Sequence, residues 1–174
     1  TAERMAPGVS FQIGRICMVA NTGTYIDMPF HFYADGDDLS GVALSRIAGL
    51  DAVSLQPKAG AQGEYAGLLV IRAHHAARGE GHRNVCLIPS SAHGTNPATA
   101  TMCGFTVRNI PTKNTGRVTL EAFKEALGDG KDVAGMMVTN PNTCGLFETE
   151  IVEIADLLHK HGGYFYCDGA NFNA

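Results

Sequence analysis

The sequence predicts an α/β fold, a mostly parallel sheet with helices on its faces. Two observations predict it. From residue 51 onward, short apolar segments of strand length alternate with longer segments of helical period. Polar clusters then follow those apolar segments, at the carboxyl ends of strands, where open α/β sheets bind ligands.

The elements follow in order. Ala52 to Leu55 is a short apolar strand, and Gly60-Ala61-Gln62-Gly63 is a loop. Glu64 to Arg78 reads as a helix, with Leu68, Ile71 and His75 at helical spacing and Gly79 at its end. Val85 to Pro89 has the composition of a buried strand. Asn96 caps a helix with Pro97 at its first position and Ala98 to Cys103 as its body. Phe105 to Ile110 is a strand, Thr119 caps a helix over Leu120 to Leu127, and Val133 to Thr139 is a strand. Ile151 to His161 is a helix closed by Gly162-Gly163, and Tyr164 to Cys167 is a strand ending at Asp168.

Residues 1–50 have another character. Ile13 to Ala20 reads as a strand, and Tyr25 to Phe32 as an extended segment interrupted by Pro29. Asp35 to Asp38 is a turn signal, and Leu44 to Ala48 has the length of one helical turn.

Composition narrows the function classes. The chain has 174 residues, 45% hydrophobic and 17% charged, enough for one domain with its own core. Its net charge of -4, with no basic block, argues against a nucleic-acid partner. No apolar run approaches the ~20 residues of a membrane span, and the first residues resemble no signal peptide. The five cysteines (Cys17, Cys86, Cys103, Cys144 and Cys167) include no C-x-x-C, and most lie in apolar runs. They read as reduced core thiols of a cytosolic-type protein. The chain does not start with Met, which fits a processed chain or a fragment.

Three polar clusters carry candidate chemistry. Gly60 to Gly63 precedes a helix, where backbone N–H groups and the helix dipole suit a phosphate; a plain helix-entry turn reads the same way. The loop Ser91 to Asn96 presents His93, able to donate hydrogen bonds or lie against a planar cofactor, or else serves as a polar loop with a capping Asn96. Asp168 ends an apolar strand, where a carboxylate needs a cation or a strong donor such as a pyridinium N–H, unless it is a turn Asp. Together they supply a phosphate seat, a stacking group and a partner for a ring nitrogen, the requirements of pyridoxal phosphate (PLP). His74-His75 cannot clamp a metal, because helical neighbours diverge by about 100°. Glu148, Glu150, Glu153 and Asp156 read as ordinary acidic electrostatics around a helix start, and His159 and His161 as its basic end.

Four longer words carry a resemblance. Gln56 to Leu68 reads QPKAGAQGEYAGL, Arg78 to Arg83 reads RGEGHR, Ser91 to Ala98 reads SAHGTNPA, and Asp168 to Asn171 reads DGAN. In this order they resemble the P-protein family of the glycine cleavage system, the PLP-dependent glycine dehydrogenases (decarboxylating). The resemblance implies a partial fold-type I PLP-dependent transferase over residues 51–174. It implies an enzyme that decarboxylates glycine and passes the aminomethyl group to the lipoyl arm of the H-protein. It implies cofactor contacts at Gly60, Ala61 and Gln62 for the phosphate, and at Thr139 and Asn140 in the cluster after the 133–139 strand. His93 would stack on the ring, Asp168 would hold the ring nitrogen protonated, and Ala170 would pack on the opposite face; His93 and Asp168 are the catalytic candidates. The H-protein lipoyl domain and further P-protein chains are the implied partners, in a homo-oligomer placed in the bacterial cytoplasm or, in a eukaryote, the mitochondrial matrix.

Two departures stand out. Asn140 and Asn142 replace the family's Tyr and Ser in V-T-Y-P-S-T-x-G, at the expense of local substrate contacts. The family's cofactor-holding lysine follows DGAN by several tens of residues, and this chain ends at Ala174. It is therefore expected to be inactive alone, and its open sheet edge to favour a dimer or aggregation.

Asn21 to Phe32 (NTGTYIDMPFHF) instead resembles the cyclase and kynurenine formamidase family, whose motif reads H-x-G-T-H-x-D-x-P-x-H. Asp27 and His31 stand at its metal-ligand positions, which implies a divalent metal such as zinc and amide hydrolysis. Two protein ligands fall short of the usual three of a catalytic zinc site. The expected organisation is thus a β-rich cyclase-like segment, residues 1–50, joined to a P-protein-like segment, residues 51–174. A metal-dependent amidohydrolase and a non-catalytic α/β binding or assembly domain are the alternative functions. Lys113, Lys124, Lys131 and Lys160 lie in other contexts than the family's lysine. Mixing with PLP and reducing with borohydride is expected to leave no site-specific lysine adduct, as peptide mass mapping would show.

Overall fold

The computed structural model describes residues 54, 56–112 and 115–173. The strands, helical turn, Cys17, Asp27 and His31 of the first fifty residues lie outside them, as does the 52–55 strand apart from Ser54. The chain divides at Gln56/Pro57, and the unit that begins at Pro57 holds all the described residues except Ser54 and Gln56.

Its elements alternate: helix α1 Gly60–Ala77, strand β1 Val85–Pro89, α2 Thr95–Met102, β2 Thr106–Ile110, α3 Leu120–Leu127, β3 Val133–Thr139, α4 Ile151–Lys160 and β4 Tyr164–Asp168, then a 3-10 turn Ala170–Asn173. The four strands form one parallel sheet in the order β2-β1-β3-β4. The α/β prediction therefore holds, and β1, α3 and β3 have the predicted bounds.

Two predicted boundaries are wrong, for physical reasons. Gly60 to Gly63 is not a loop but the first turn of α1, entered from an extended Ala59 with no side-chain cap. The Gln62 and Gly63 amides bond back to the Ala59 carbonyl and so close this first turn. Asn96 is not a cap either: α2 starts at Thr95 after Gly94. The Asn96 side chain is buried and donates instead to Thr139 Oγ1 at 3.3 Å.

Side chains of β1 alternate between two cores. Val85 and Leu87 join Phe123, Leu127, Ile154 and Leu158 on the α3/α4 face, while Cys86 and Ile88 join Leu68, Ala100, Cys103 and Phe105 on the α1/α2 face. Strand β3 is buried at all seven positions, as a central parallel strand must be. Its pairing with β1 shifts between Val85, opposite Val133, and Cys86, opposite Gly135, so Ala134 is an extra residue, a β-bulge. His75, buried on α1, sets Nε2 2.9 Å from the Ala134 carbonyl.

Close approach decides two glycines. A Cβ on Gly135 would meet the Tyr164 backbone oxygen at 2.5 Å, and one on Gly67 would meet the Tyr166 ring at 2.5 Å. Gly67 thus lets α1 lie directly on β4.

The cysteines divide differently from the expectation. Cys86 and Cys103 are buried, and burial pushes the Cys86 thiol up to about 12. Cys144 and Cys167 are exposed, because the loop after β3 and the edge strand β4 leave them uncovered. Among the described residues no group of three or more His, Cys, Asp or Glu is placed to hold a metal, and no helix is long and apolar enough to cross a membrane.

The RGEGHR segment locks α1 to the sheet. Glu80 receives Arg78 Nε at 3.6 Å and faces His75 Nδ1 at 3.0 Å, while Arg83 Nη1 donates to the Val133 carbonyl at 2.8 Å. The His75 hydrogen bond, helped by Arg78 and Arg83, holds the Glu80 carboxyl below its ordinary value of 4.5. A group lowered on folding stabilises the fold above its unfolded pKa and loses that contribution as pH falls. Glu80→Gln is expected to lower stability at neutral pH and to change it little in acid, where the wild-type contribution is already lost, so the acid limb of a stability–pH profile below about pH 4.5 flattens. Gly67→Ala is expected to cost about 1–3 kcal/mol in urea unfolding, recovered in part by Tyr166→Leu.

Candidate functional site

The polar clusters predicted at strand ends converge at one edge of the sheet. The loops after β1, β3 and β4 all leave from carboxyl ends, and hydrogen bonds join them to one another.

Asp168 lies at the centre, buried at the end of β4. Its Oδ2 receives His93 Nδ1 at 2.7 Å and the Thr139 hydroxyl at 3.2 Å, and its Oδ1 receives the Ala170 N–H at 3.1 Å. A carboxylate only accepts, so His93 Nδ1 carries the proton and Thr139 is the donor. The Thr139 oxygen is then free to accept, which it does from the His93 N–H at 3.2 Å and Asn96 Nδ2 at 3.3 Å. Asn96, Thr139, His93 and Asp168 therefore form one hydrogen-bonded chain. The Asn96 Oδ1 atom is buried without a hydrogen-bond partner.

The loop after β3 is braced from within. Asn142 uses both ends of its amide: Nδ2 donates to the Gly116 carbonyl at 2.8 Å and Glu148 Oε1 at 2.9 Å, and Oδ1 accepts from the Cys144 and Leu146 amides. Asn140 Oδ1 accepts the Glu148 N–H at 3.0 Å. The two asparagines singled out as departures are buried and spent on this loop. Glu148 is likewise no mere flank of a helix. It is fully buried and also accepts the Val118 N–H at 2.9 Å. Glu150 reaches from the start of α4 to the Leu120 N–H at 2.9 Å, joining two helix starts. Thr143 donates to the Ser91 carbonyl at 2.9 Å, and Asn171 Nδ2 to the Pro141 carbonyl at 2.9 Å, tying this loop to its two neighbours.

At the start of α1, the Gln62 side chain accepts the Lys58 N–H at 2.7 Å, and the Gln62 and Gly63 amides bond back to Ala59. No acidic residue occupies this first turn and no side chain caps it, which leaves its positive end to an anion. Glu64, next along the helix, turns inward to Thr95 and Thr99 of α2.

Of the residues predicted from sequence, His93, Thr139, Asp168 and Ala170 come together around one carboxylate. Asn140 is the neighbour of Thr139 but directs its side-chain oxygen into the loop. Gly60, Ala61 and Gln62 form the helix end. Asp27 and His31 lie outside the described residues. Sequence reasoning missed Asn96, Glu64, Asn142 and Glu148 as polar groups at work in the interior. Glu64 left a signal, because it stands four residues before Leu68 on the buried stripe of α1.

Comparison with known proteins supplies the remaining observations. Residues 68–172 match the family model described as aminotransferase class-V. The probable glycine dehydrogenase (decarboxylating) subunit 2 of Caulobacter vibrioides is 60% identical over 131 residues, which are 75% of this chain and 25% of that protein. The glycine dehydrogenase (decarboxylating) of Stenotrophomonas maltophilia is 54% identical over 143 residues, 82% of this chain and 15% of that one. The chain thus spans a quarter or less of the length of these relatives. Among solved structures, glycine decarboxylase (P-protein) of the glycine cleavage system, in inhibitor-bound form, superposes with a TM-score of 0.54 at 24% identity, over 71% of this chain and 26% of that chain. Oryza sativa TDC with PLP and tryptamine gives a TM-score of 0.57 at 14% identity, over 72% of this chain and 32% of that one. At these identities the structures speak for the fold alone.

Glu148→Ala leaves two buried hydrogens without an acceptor, that of the Val118 N–H and one of the two on Asn142 Nδ2, whose other bond to Gly116 remains. At about 1–3 kcal/mol for each, it is expected to destabilise the fold by at least about 2 kcal/mol in urea titration.

Proposed function

Because the chain belongs to the class-V aminotransferase family, we propose that its residues from Pro57 onward are part of the PLP-binding domain of a glycine dehydrogenase (decarboxylating). The observation that carries the proposal is Asp168. It is a buried carboxylate at a strand's carboxyl end, and its hydrogen-bond donors are His93, Thr139 and the Ala170 amide. The curated relatives, at 54–60% identity, support the same reading.

The residues present fit PLP. A carboxylate offers about four lone-pair sites. Three of those on Asp168 are used, one on Oδ1 and two on Oδ2, which leaves Oδ1 able to accept a ring N–H. No Lys or Arg pairs with it among the described ion pairs, where its partner is His93, so a pyridinium would meet no Lys or Arg competing for that carboxylate. The uncapped first turn of α1 suits the phosphate through the Gly60 and Ala61 amides, with Gln62 beside them. The orphaned Asn96 Oδ1 is a buried acceptor in the same chain of hydrogen bonds.

PLP, when bound, supplies an electron sink for the pair of electrons left as glycine loses CO2. The chain's own residues set the conditions for that. Asp168 holds a proton on the ring nitrogen, because an ionised carboxylate favours the charged form of its partner. Thr139 and His93 orient Asp168, and Asn96 orients Thr139. His93, about one-third exposed and hydrogen-bonded to Asp168, would stack on the ring and limit water there. Thr139 acts through Asp168, and Asn140 through the loop. In the complete enzyme the aminomethyl group passes to the lipoyl arm of the H-protein, with further P-protein chains completing a homo-oligomer. The unlike character of residues 1–50 supports a separate, cyclase-like origin for that segment.

Binding of pyridoxine 5′-phosphate, which has no aldehyde and forms no lysine adduct, tests the reading by calorimetry. Asp168→Ala is expected to weaken it at least about tenfold, the effect of losing one charge-assisted hydrogen bond. Equal affinity in the two proteins would count against the proposal.

A further inference from the structure

Glu64 is 5% exposed, on the face of α1 that also buries Leu68 and His75. A carboxylate on an apolar stripe is costly unless donors satisfy it. Here Thr95 donates to Oε1 at 2.7 Å and Thr99 to Oε2 at 3.0 Å, so each oxygen takes one hydroxyl from α2. No Lys, Arg or His pairs with Glu64 among the described ion pairs.

Position gives this clasp its meaning. Glu64 adjoins Gly63, the end of the uncapped first turn of α1, and Thr95 stands two residues after His93. The carboxylate thus joins the anion-binding turn to the loop that carries His93 and, through Asn96, to Thr139 and Asp168. Tyr166 lies beneath the same turn: its hydroxyl would be 3.9 Å from a Cβ on Gly63, and its ring meets Gly67. Burial first, then the Glu64 and Asp168 charges, push its phenol up to about 12, so it stays neutral below Glu64. An apolar pair would join the two helices without desolvating a charge. A two-pronged carboxylate instead fixes both the distance and the rotation of one helix against the other.

We propose that Glu64 is a positioning residue that holds the phosphate-binding turn of α1 at a set distance from the ring-binding group of His93 and Asp168, so that one ligand engages both at once. The inference rests on the PLP reading above. Its consequence is a gain from joined sites: a ligand bearing both ring and phosphate binds more tightly than either part, provided the two seats stay in register.

Calorimetry with three probes tests this: pyridoxine 5′-phosphate, pyridoxine and inorganic phosphate. In the full chain, Glu64→Ala is expected to lower the affinity for pyridoxine 5′-phosphate about tenfold, while pyridoxine and phosphate each change by less than about twofold. Glu64→Gln is expected to restore the wild-type pattern, because a Thr hydroxyl can donate to the amide oxygen and another accept from its N–H. Should Glu64→Ala fail to fold, Thr95→Val severs one prong, and the same selective loss is expected at smaller size. An unchanged affinity for pyridoxine 5′-phosphate would overturn the proposal, as would an equal loss for all three probes, the mark of general loosening. Wild-type protein that binds the whole ligand no better than its parts would also overturn it. Wild-type protein that binds none of the three removes the PLP reading itself, and the proposal with it.

Discussion

One hydroxyl, that of Thr139, holds the candidate site together. It donates to Asp168 and accepts from the His93 amide and from Asn96, so it touches the loop after β1, the start of α2 and the end of β4. A hydroxyl can do this because it is at once a donor and an acceptor with two lone pairs. A carboxylate in its place could only accept, and an aliphatic group could do neither. The arrangement around it follows from a parallel sheet. All four strands run the same way, so their polar ends meet at one edge, and the apolar remainder is left to two flanking layers of helices.

Satisfying buried polar groups explains much of what surrounds that edge. The loop after β3 contains Asn140, Asn142 and Glu148, all buried, and their side chains answer backbone groups within the loop and from Gly116 and Val118. A polar side chain shut away from water must find such partners or cost stability. The two asparagines that depart from the familiar motif therefore have a structural use here, whatever substrate contacts the family makes at those positions. Rigid loops of this kind hold a ligand's partners in place without help from the ligand.

Much of the fold was legible in sequence because its signals are local. β1 and β3 are unbroken apolar runs, and α3 shows both its capping Thr119 and its apolar period. The site was legible as a set of strand-end clusters, and through the words that carry the family resemblance. What escaped was long-range pairing. Asn96 looks like a cap because Asn before Pro often is one, and only the fold reveals Thr139 beside it. Glu148 and Glu150 look like helix-start acids, and their partners Val118 and Leu120 lie thirty residues earlier in the chain. The glycines of the α1 first turn suggested a loop, yet the helix begins with them.

The bulge at Ala134 acts as a phase slip in β3. Before it, odd-numbered Val133 faces the α3/α4 layer; after it, even-numbered Met136 and Val138 face that layer, and odd-numbered Met137 faces α1 and α2. Continued to the strand's end, this parity turns Thr139 toward the α1/α2 side, where Asn96 and His93 wait. A strict two-residue repeat from Val133 would have aimed that hydroxyl into the opposite layer. One supernumerary alanine, its carbonyl taken up by His75, thus sets which face of the sheet carries a site five residues downstream.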